Sequence, residues 1–141
     1  TTLVSDSGIT RYRLSALQWM IFDRDTHPYW DFPEGIYVER FDEEFNVDAF
    51  VQSDKARYDQ TTQIWQLDYN VIAQNLEGEK FETEQMFWDQ KNEKIYSDSL
   101  ITITQSNKII VGYGFESNQN FTRYAIRNPQ GIFPVKEEKK E

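Results

Sequence analysis

Trp65-Gln66-Leu67-Asp68-Tyr69-Asn70-Val71-Ile72-Ala73-Gln74 is the stretch that decides the fold. Trp65, Leu67, Tyr69, Val71 and Ala73 occupy alternate positions, with Gln66, Asp68, Asn70 and Gln74 between them. Successive side chains of a strand point to opposite faces, so this spacing predicts a strand with one buried and one wet face. Working outward, Phe45, Val47, Ala49 and Val51 alternate in the same way, as do Ile109, Val111, Tyr113 and Phe115. Turn chemistry separates such segments at Asp42-Glu43-Glu44, Asp59-Gln60-Thr61-Thr62, Asn75-Leu76-Glu77-Gly78 and Asp89-Gln90-Lys91-Asn92. It returns at Gln105-Ser106-Asn107, Asn118-Gln119-Asn120 and Asn128-Pro129-Gln130-Gly131. Strands joined by short turns predict antiparallel meanders.

Composition agrees with that pattern. The 141 residues include 22 aromatics, 12 Ile, 7 Val and 10 Thr, against 6 Leu and 5 Ala, which excludes a helical bundle or coiled coil. One domain over residues 1–135 is expected, followed by a wholly charged, disordered tail at 136–141. Residues 14–22 (LSALQWMIF) fit a helical turn or a buried strand equally well. A weak repeat of 30 residues sets Tyr58-Asp59-Gln60 on Trp88-Asp89-Gln90, Trp65 on Ile95, Asp68 on Asp98 and Val71 on Ile101. If structural, it means stacked hairpins.

Little in the chain points to catalysis. A net charge of −9 without a Lys/Arg block argues against a nucleic-acid partner. There is no Cys, hence no disulfide scaffold and no thiolate site. His27, the single histidine, sits in the polar turn Asp23-Arg24-Asp25-Thr26-His27-Pro28 and reads as a solvated loop residue. Among 24 acidic residues some pair of carboxylates is always to be found, so no pair carries information. Val111-Gly112-Tyr113-Gly114-Phe115 holds a GxG inside a strand pattern, where Gly marks a bulge or close backbone approach rather than a phosphate loop. No catalytic residue, metal ligand or cofactor is expected. No apolar run approaches the roughly 20 residues that span a bilayer. The start at Thr1 rather than Met fits a mature or trimmed product whose anchor or export signal lay upstream.

An ordered set of stretches does more than patterning. Ala56-Arg57-Tyr58, Ile64-Trp65-Gln66-Leu67 with Asn70-Val71, and Gly78-Glu79-Lys80-Phe81-Glu82-Thr83-Glu84 come first. Phe87-Trp88-Asp89, Ile95-Tyr96-Ser97-Asp98 and Gly112-Tyr113-Gly114-Phe115-Glu116-Ser117 follow. Together they resemble the LptC family of lipopolysaccharide export and, more widely, the OstA-like β-domains shared with LptA. The resemblance spans roughly residues 10–135, and the insert-like segment 23–35 departs from it. It implies an all-β fold, an open twisted β-jellyroll of two facing antiparallel sheets. It implies a non-enzymatic periplasmic protein that receives lipopolysaccharide from the inner-membrane LptB/LptF/LptG ABC transporter and passes it to an LptA-like bridge protein. Tethering by a transmembrane helix or a lipid is also implied.

For such a role, one buried CH₂ is worth about 0.8 kcal/mol, so a roughly 12-carbon acyl chain gains on the order of 10 kcal/mol in an apolar trough. The expected lining is Trp65, Leu67, Val71, Ile101, Ile103, Ile109, Val111 and Phe115. The net charge keeps phosphorylated headgroups outside, softened at most by Arg11, Arg13, Arg123 and Arg127. The segment 121–126, with Phe121, Arg123, Tyr124 and Ile126, is the expected partner-docking edge, covered only weakly by a last strand at 132–135 that contains Pro134. Patterning alone leaves three readings open: an open lipid groove, a closed structural core, and a carbohydrate-binding module with aromatic platforms.

Overall fold

The computed structural model describes residues 2–6, 10–23 and 26–135, and every regular element in them is a β-strand. The strands are β1 (Thr2–Asp6), β2 (Thr10–Ser15), β3 (Met20–Phe22), β4 (Tyr29–Phe32), β5 (Ile36–Phe41) and β6 (Val47–Ser53). They continue as β7 (Lys55–Asp59), β8 (Ile64–Asn75), β9 (Lys80–Asp89), β10 (Lys94–Thr104), β11 (Lys108–Asn118) and β12 (Tyr124–Pro134). The expected charged tail lies outside the described residues. The ambiguous stretch 14–22 closes β2 and supplies β3, with no helix between them.

All pairings are antiparallel and form one hydrogen-bonded sheet, ordered β1-β2-β5-β6-β8-β9-β10-β11-β12, with β3-β4-β7 running beside it onto β8. The two branches meet β8 at different ends: β6 pairs with residues 72–75 and β7 with residues 64–68. A line of irregularities separates those ends. The ladder slips between Asp68 and Val71, between Tyr96 and Ile101, between Ser97 and Leu100, and between Val111 and Gly112. Tyr69 and Asn70 have φ of 67° and 49°, the left-handed region that bends a strand sharply. The same line passes through Asp54, the break between β6 and β7, whose N–H donates to the Tyr69 carbonyl. It ends at Gly35, the break between β4 and β5, at φ +85°. A Cβ there would lie 2.2 Å from the Ser53 carbonyl oxygen.

The crease folds one sheet into two layers. The first holds β1, β2, β5, β6 and residues 71–75, 80–83, 101–104, 108–112 and 129–134. The second holds β3, β4, β7 and residues 64–68, 85–89, 94–97, 113–118 and 124–128. Rings from opposite layers meet: Tyr12 and Trp88 at 4.8 Å between centroids, Phe81 and Phe115 at 5.6 Å. Bending frees ladder carbonyls, and buried hydroxyls take them up. Thr83 Oγ1 donates to the Leu100 carbonyl at 2.8 Å, and Ser97 Oγ to the Gln85 carbonyl at 2.6 Å. Without such partners, buried polar groups would cost more than the packing returns. The architecture is the open β-jellyroll expected from the resemblance, with its two facing sheets continuous through the crease.

The 30-residue repeat is the same hairpin built twice. Gln63 and Glu93 both turn at positive φ, 59° and 56°. Asp59 Oδ1 accepts from Thr61 and Thr62 N–H, and Asp89 Oδ1 accepts from Asn92 N–H.

Three sequence expectations are corrected. Asn128-Pro129-Gln130-Gly131 is not a turn but a bulge inside β12, so residues 132–134 continue the strand instead of covering it. Pro129 is tolerated because β12 is the last strand, with β11 on one side only, and because Gly112 opposite leaves room for the ring. Ile109, Val111, Tyr113 and Phe115 do not share a face. Ile110, Gly112 and Gly114 face inward in turn and the left-handed Gly114 reverses the alternation, so Phe115 is buried, Tyr113 is exposed and Ile110 packs on the core. Phe45 stands at φ 65° in the 42–46 turn with its ring exposed, outside the strand pattern it was assigned.

Candidate functional site

The interior between the layers is unequal along its length. Toward β10–β12, Val71, Phe81, Ile101, Ile103, Phe115 and Phe121 are all 0% exposed. Phe121 belongs to the 119–123 turn, not to a strand, and its φ of 60° aims the ring inward. There it lies 5.0 Å from Phe81 and 6.4 Å from Phe115, stacked on the latter. Polar bonds close the rim over this half. Asn75 Nδ2 donates to the Phe121 carbonyl at 2.8 Å, Gln105 Nε2 to the Tyr124 hydroxyl at 2.7 Å, and the Tyr124 hydroxyl to Glu79 Oε2 at 2.5 Å. Tyr124 stands on the second layer, while Asn75, Glu79 and Gln105 end strands of the first.

The other half contains a small apolar cavity of about 30 Å³. From the first layer Tyr12, Ile36, Val38, Ala49 and Val51 line it, and from the second Leu67, Met86, Trp88 and Ile95. Its polar members are Arg40 and Gln119. That volume is about one water's share of the liquid, too small for an alkyl chain between the layers as they stand. Gln119 Oε1 accepts from Trp88 Nε1 at 2.7 Å and from the Tyr12 hydroxyl at 3.1 Å, a second tie between layers. Beyond Trp88 an aromatic wall continues through Trp65 (stacked, 5.8 Å), Tyr58, Trp30, Phe32 and Trp19.

Arg40 sits where the cavity meets solvent, its side chain 20% exposed, and pairs with Asp48. Burial works to lower the guanidinium pKa, but the hydrogen bond and charge of Asp48 outweigh it and the net shift is upward.

Of the sequence-predicted groove residues, only Leu67 lines the cavity, with Trp65 in the adjoining wall. Val71, Ile101, Ile103 and Phe115 lie in the sealed half, and Ile109 and Val111 are half-buried beyond the crease. On the expected docking edge, Ile126 packs against the core and Tyr124 closes the rim. Arg123 is exposed at the entrance to β12. Arg13 and Arg127 are engaged by Glu39 and Asp98, at 3.2 and 2.6 Å. Arg40 and the first-layer cavity wall were missed. The signal was Ile36, Val38 and Arg40 on alternate positions, a cation placed on an apolar face.

The family model for lipopolysaccharide assembly, LptC-related, matches residues 1–125. The chain belongs to the LptC family. LptC proteins are periplasmic envelope components of lipopolysaccharide transport that bind and carry rather than catalyse. Among curated proteins, no significant match exists. No helix of the described residues is long and apolar enough to cross a membrane.

Proposed function

We propose that this chain binds the acyl chains of lipopolysaccharide between its two layers and relays the lipid from the inner-membrane LptB/LptF/LptG transporter to an LptA-like bridge protein. The observation that carries this reading is the cavity itself: apolar side chains from both layers converge on a gap bridged by few polar ties. A carbohydrate platform would put its aromatics on an outer face near the loops. Here Trp65 and Trp88 face inward and are buried. Separating the layers exposes apolar surface on both sides at once, and inserted acyl chains cover it again at about 0.8 kcal/mol per CH₂. The phosphorylated headgroup stays at the rim, outside a protein of net charge −9. β12 ends the sheet with one strand partner and carries exposed Ile132 and Phe133, so its free edge suits strand addition by the bridge. The N-terminal edges at β1 and β3 are left for the transporter side.

A photoreactive residue at Leu67 or Met86, in a Gram-negative envelope making lipopolysaccharide, tests the proposal. Lipid adducts are expected at both positions and not at Tyr113, which points outward. Adducts at Tyr113 alone overturn it.

A further inference from the structure

Among the described residues, every buried apolar side chain of the core stands on a strand except Phe121. Ladder pairing holds the others in place, whereas Phe121 reaches the interior from the turn that joins β11 to β12. It does so at a φ of 60°, a region that a bulky residue rarely adopts. Thr122 and Arg123, which follow it, are exposed.

The ring packs against one ring from each layer, Phe81 at 5.0 Å and Phe115 at 6.4 Å. Phe81 belongs to a cross-strand row on the inner face of the first layer. Val38 pairs with Val51, Val51 with Ala73, Ala73 with Phe81, and Phe81 with Ile103. Val38 and Val51 line the cavity, while Phe81 and Ile103 lie in the sealed half. Between them Ala73 projects only a methyl group. The row is one apolar line from the cavity to the Phe121 ring. Three strand spacings separate Val38 from Phe81, roughly 14 Å, a distance that a lipid acyl chain spans.

Few bonds pin the turn to its surroundings. Gln119 Oε1 accepts from the Tyr12 hydroxyl and from Trp88 Nε1, and the Phe121 carbonyl accepts from Asn75 Nδ2. Asn75 Nδ2 also donates to Glu79 Oε1 at 2.8 Å, so this amide keeps a partner when the turn moves. Within the turn, Asn118 Oδ1 accepts from the Thr122 and Arg123 N–H groups, bonds that can travel with it. The pairing of β11 with β12 begins at Ser117 and Tyr124, outside the turn, so its departure breaks no ladder.

We propose that the Phe121 ring occupies an acyl-chain site while no lipid is bound. An incoming chain laid along the row displaces the ring, the turn swings outward, and cavity and sealed half join into one trough. The inference rests on the lipid-binding reading of the interior. The exchange is apolar for apolar, because the chain takes over the contacts with Phe81 and Phe115 that the ring gives up. The ring thus competes with the lipid, and the apparent affinity is reduced by the fraction of molecules whose turn is already open.

The test replaces Phe121, Phe115 or Phe133 singly by para-fluorophenylalanine in the full chain. The fluorine shift between light and heavy water is read with and without monodecanoylglycerol, and tryptophan fluorescence reports binding, since Trp88 lines the cavity. Without lipid, a solvent shift is expected at 133, which is exposed, and none at 121 or 115. With lipid bound, the shift should appear at 121 and stay absent at 115. Phe121→Ala should bind monodecanoylglycerol on the order of tenfold more tightly than wild type, since no ring competes. A ring at 121 that stays shielded while the lipid binds overturns the proposal and leaves the lipid-binding reading intact. In that case a tighter alanine variant has gained only an engineered void. Equal or weaker binding by a folded Phe121→Ala also overturns it. Should circular dichroism show that variant unfolded, the fluorine readout decides alone. A tryptophan signal that monodecanoylglycerol leaves unchanged, in wild type and in Phe121→Ala, removes both readings.

Discussion

The Tyr124 hydroxyl donates to Glu79 Oε2 at 2.5 Å, and this bond ties the last strand of one layer to a turn of the other. Glu79 is itself held, because Asn75 Nδ2 and Gln105 Nε2 donate to its two oxygens at 2.8 and 2.7 Å. Deleting the bond with Tyr124→Phe should therefore cost about 1 kcal/mol in urea unfolding, the net worth of one side-chain hydrogen bond. Amide exchange in 119–123 and 76–79 should quicken by the same free energy. An unchanged exchange rate would mean the rim is held by the aromatic packing alone.

The same bond sets an alkaline limit. Burial foremost, and then Glu79, push the Tyr124 pKa from 10.0 up to about 12. The folded state thus favours the neutral phenol. That contribution is whole below pH 10 and is lost as pH rises through the folded pKa, because the unfolded chain ionises first. Wild-type stability should fall more steeply than that of Tyr124→Phe between about pH 10 and pH 12. Tyr37 and Tyr96 are also shifted upward, mainly by burial, so the difference between the two proteins is the quantity to measure.

The two halves of the interior should respond in opposite ways to substitution. Ile103→Asp puts a charge into the sealed half and should unfold the domain, because no partner is available there. Ala49→Val adds methyl groups beside the cavity and should change stability by less than about 1.5 kcal/mol. It should nevertheless reduce lipid capture, since it fills the space where the layers begin to part. Urea melts and lipid crosslinking at Leu67 together separate these outcomes.

Gly35→Ala probes the crease. The new Cβ would meet the Ser53 and Asp54 backbone at 2.2 and 2.9 Å, at a φ of +85° that L-residues avoid. A loss of roughly 3 kcal/mol is expected from thermal or urea unfolding. By contrast, a Cβ at Gly78 finds only the Gln74 side-chain amide, 4.0 Å away. Gly78→Ala is strained by its φ of +83° alone and should cost less.

Strand addition at the free edge of β12 predicts that a photoreactive residue at Ile132 or Phe133 captures the bridge protein. The same probe at Glu82, on the central strand β9, should not. Equal capture at both would assign the contact to another surface.

What the amino-acid order determined by itself was local. Alternation, β-branched and aromatic content and Asx-type turns fixed the strands, six of the seven named turns and the duplicated hairpin, because each depends on neighbours a few residues apart. The order of the LptC-like stretches carried the family. The crease could not be read, because Tyr69-Asn70 and Gly112-Tyr113-Gly114 look like ordinary alternation until partner strands show the slip. One reversal sends every later side chain to the opposite face, which is why Phe115 reaches the core although Ile109, Val111 and Tyr113 do not. The cavity needed tertiary structure for the same reason. Its walls come from β2, β5 and β6 facing β8, β9 and β10, and only the folding of one sheet onto itself brings residues so distant in sequence into contact.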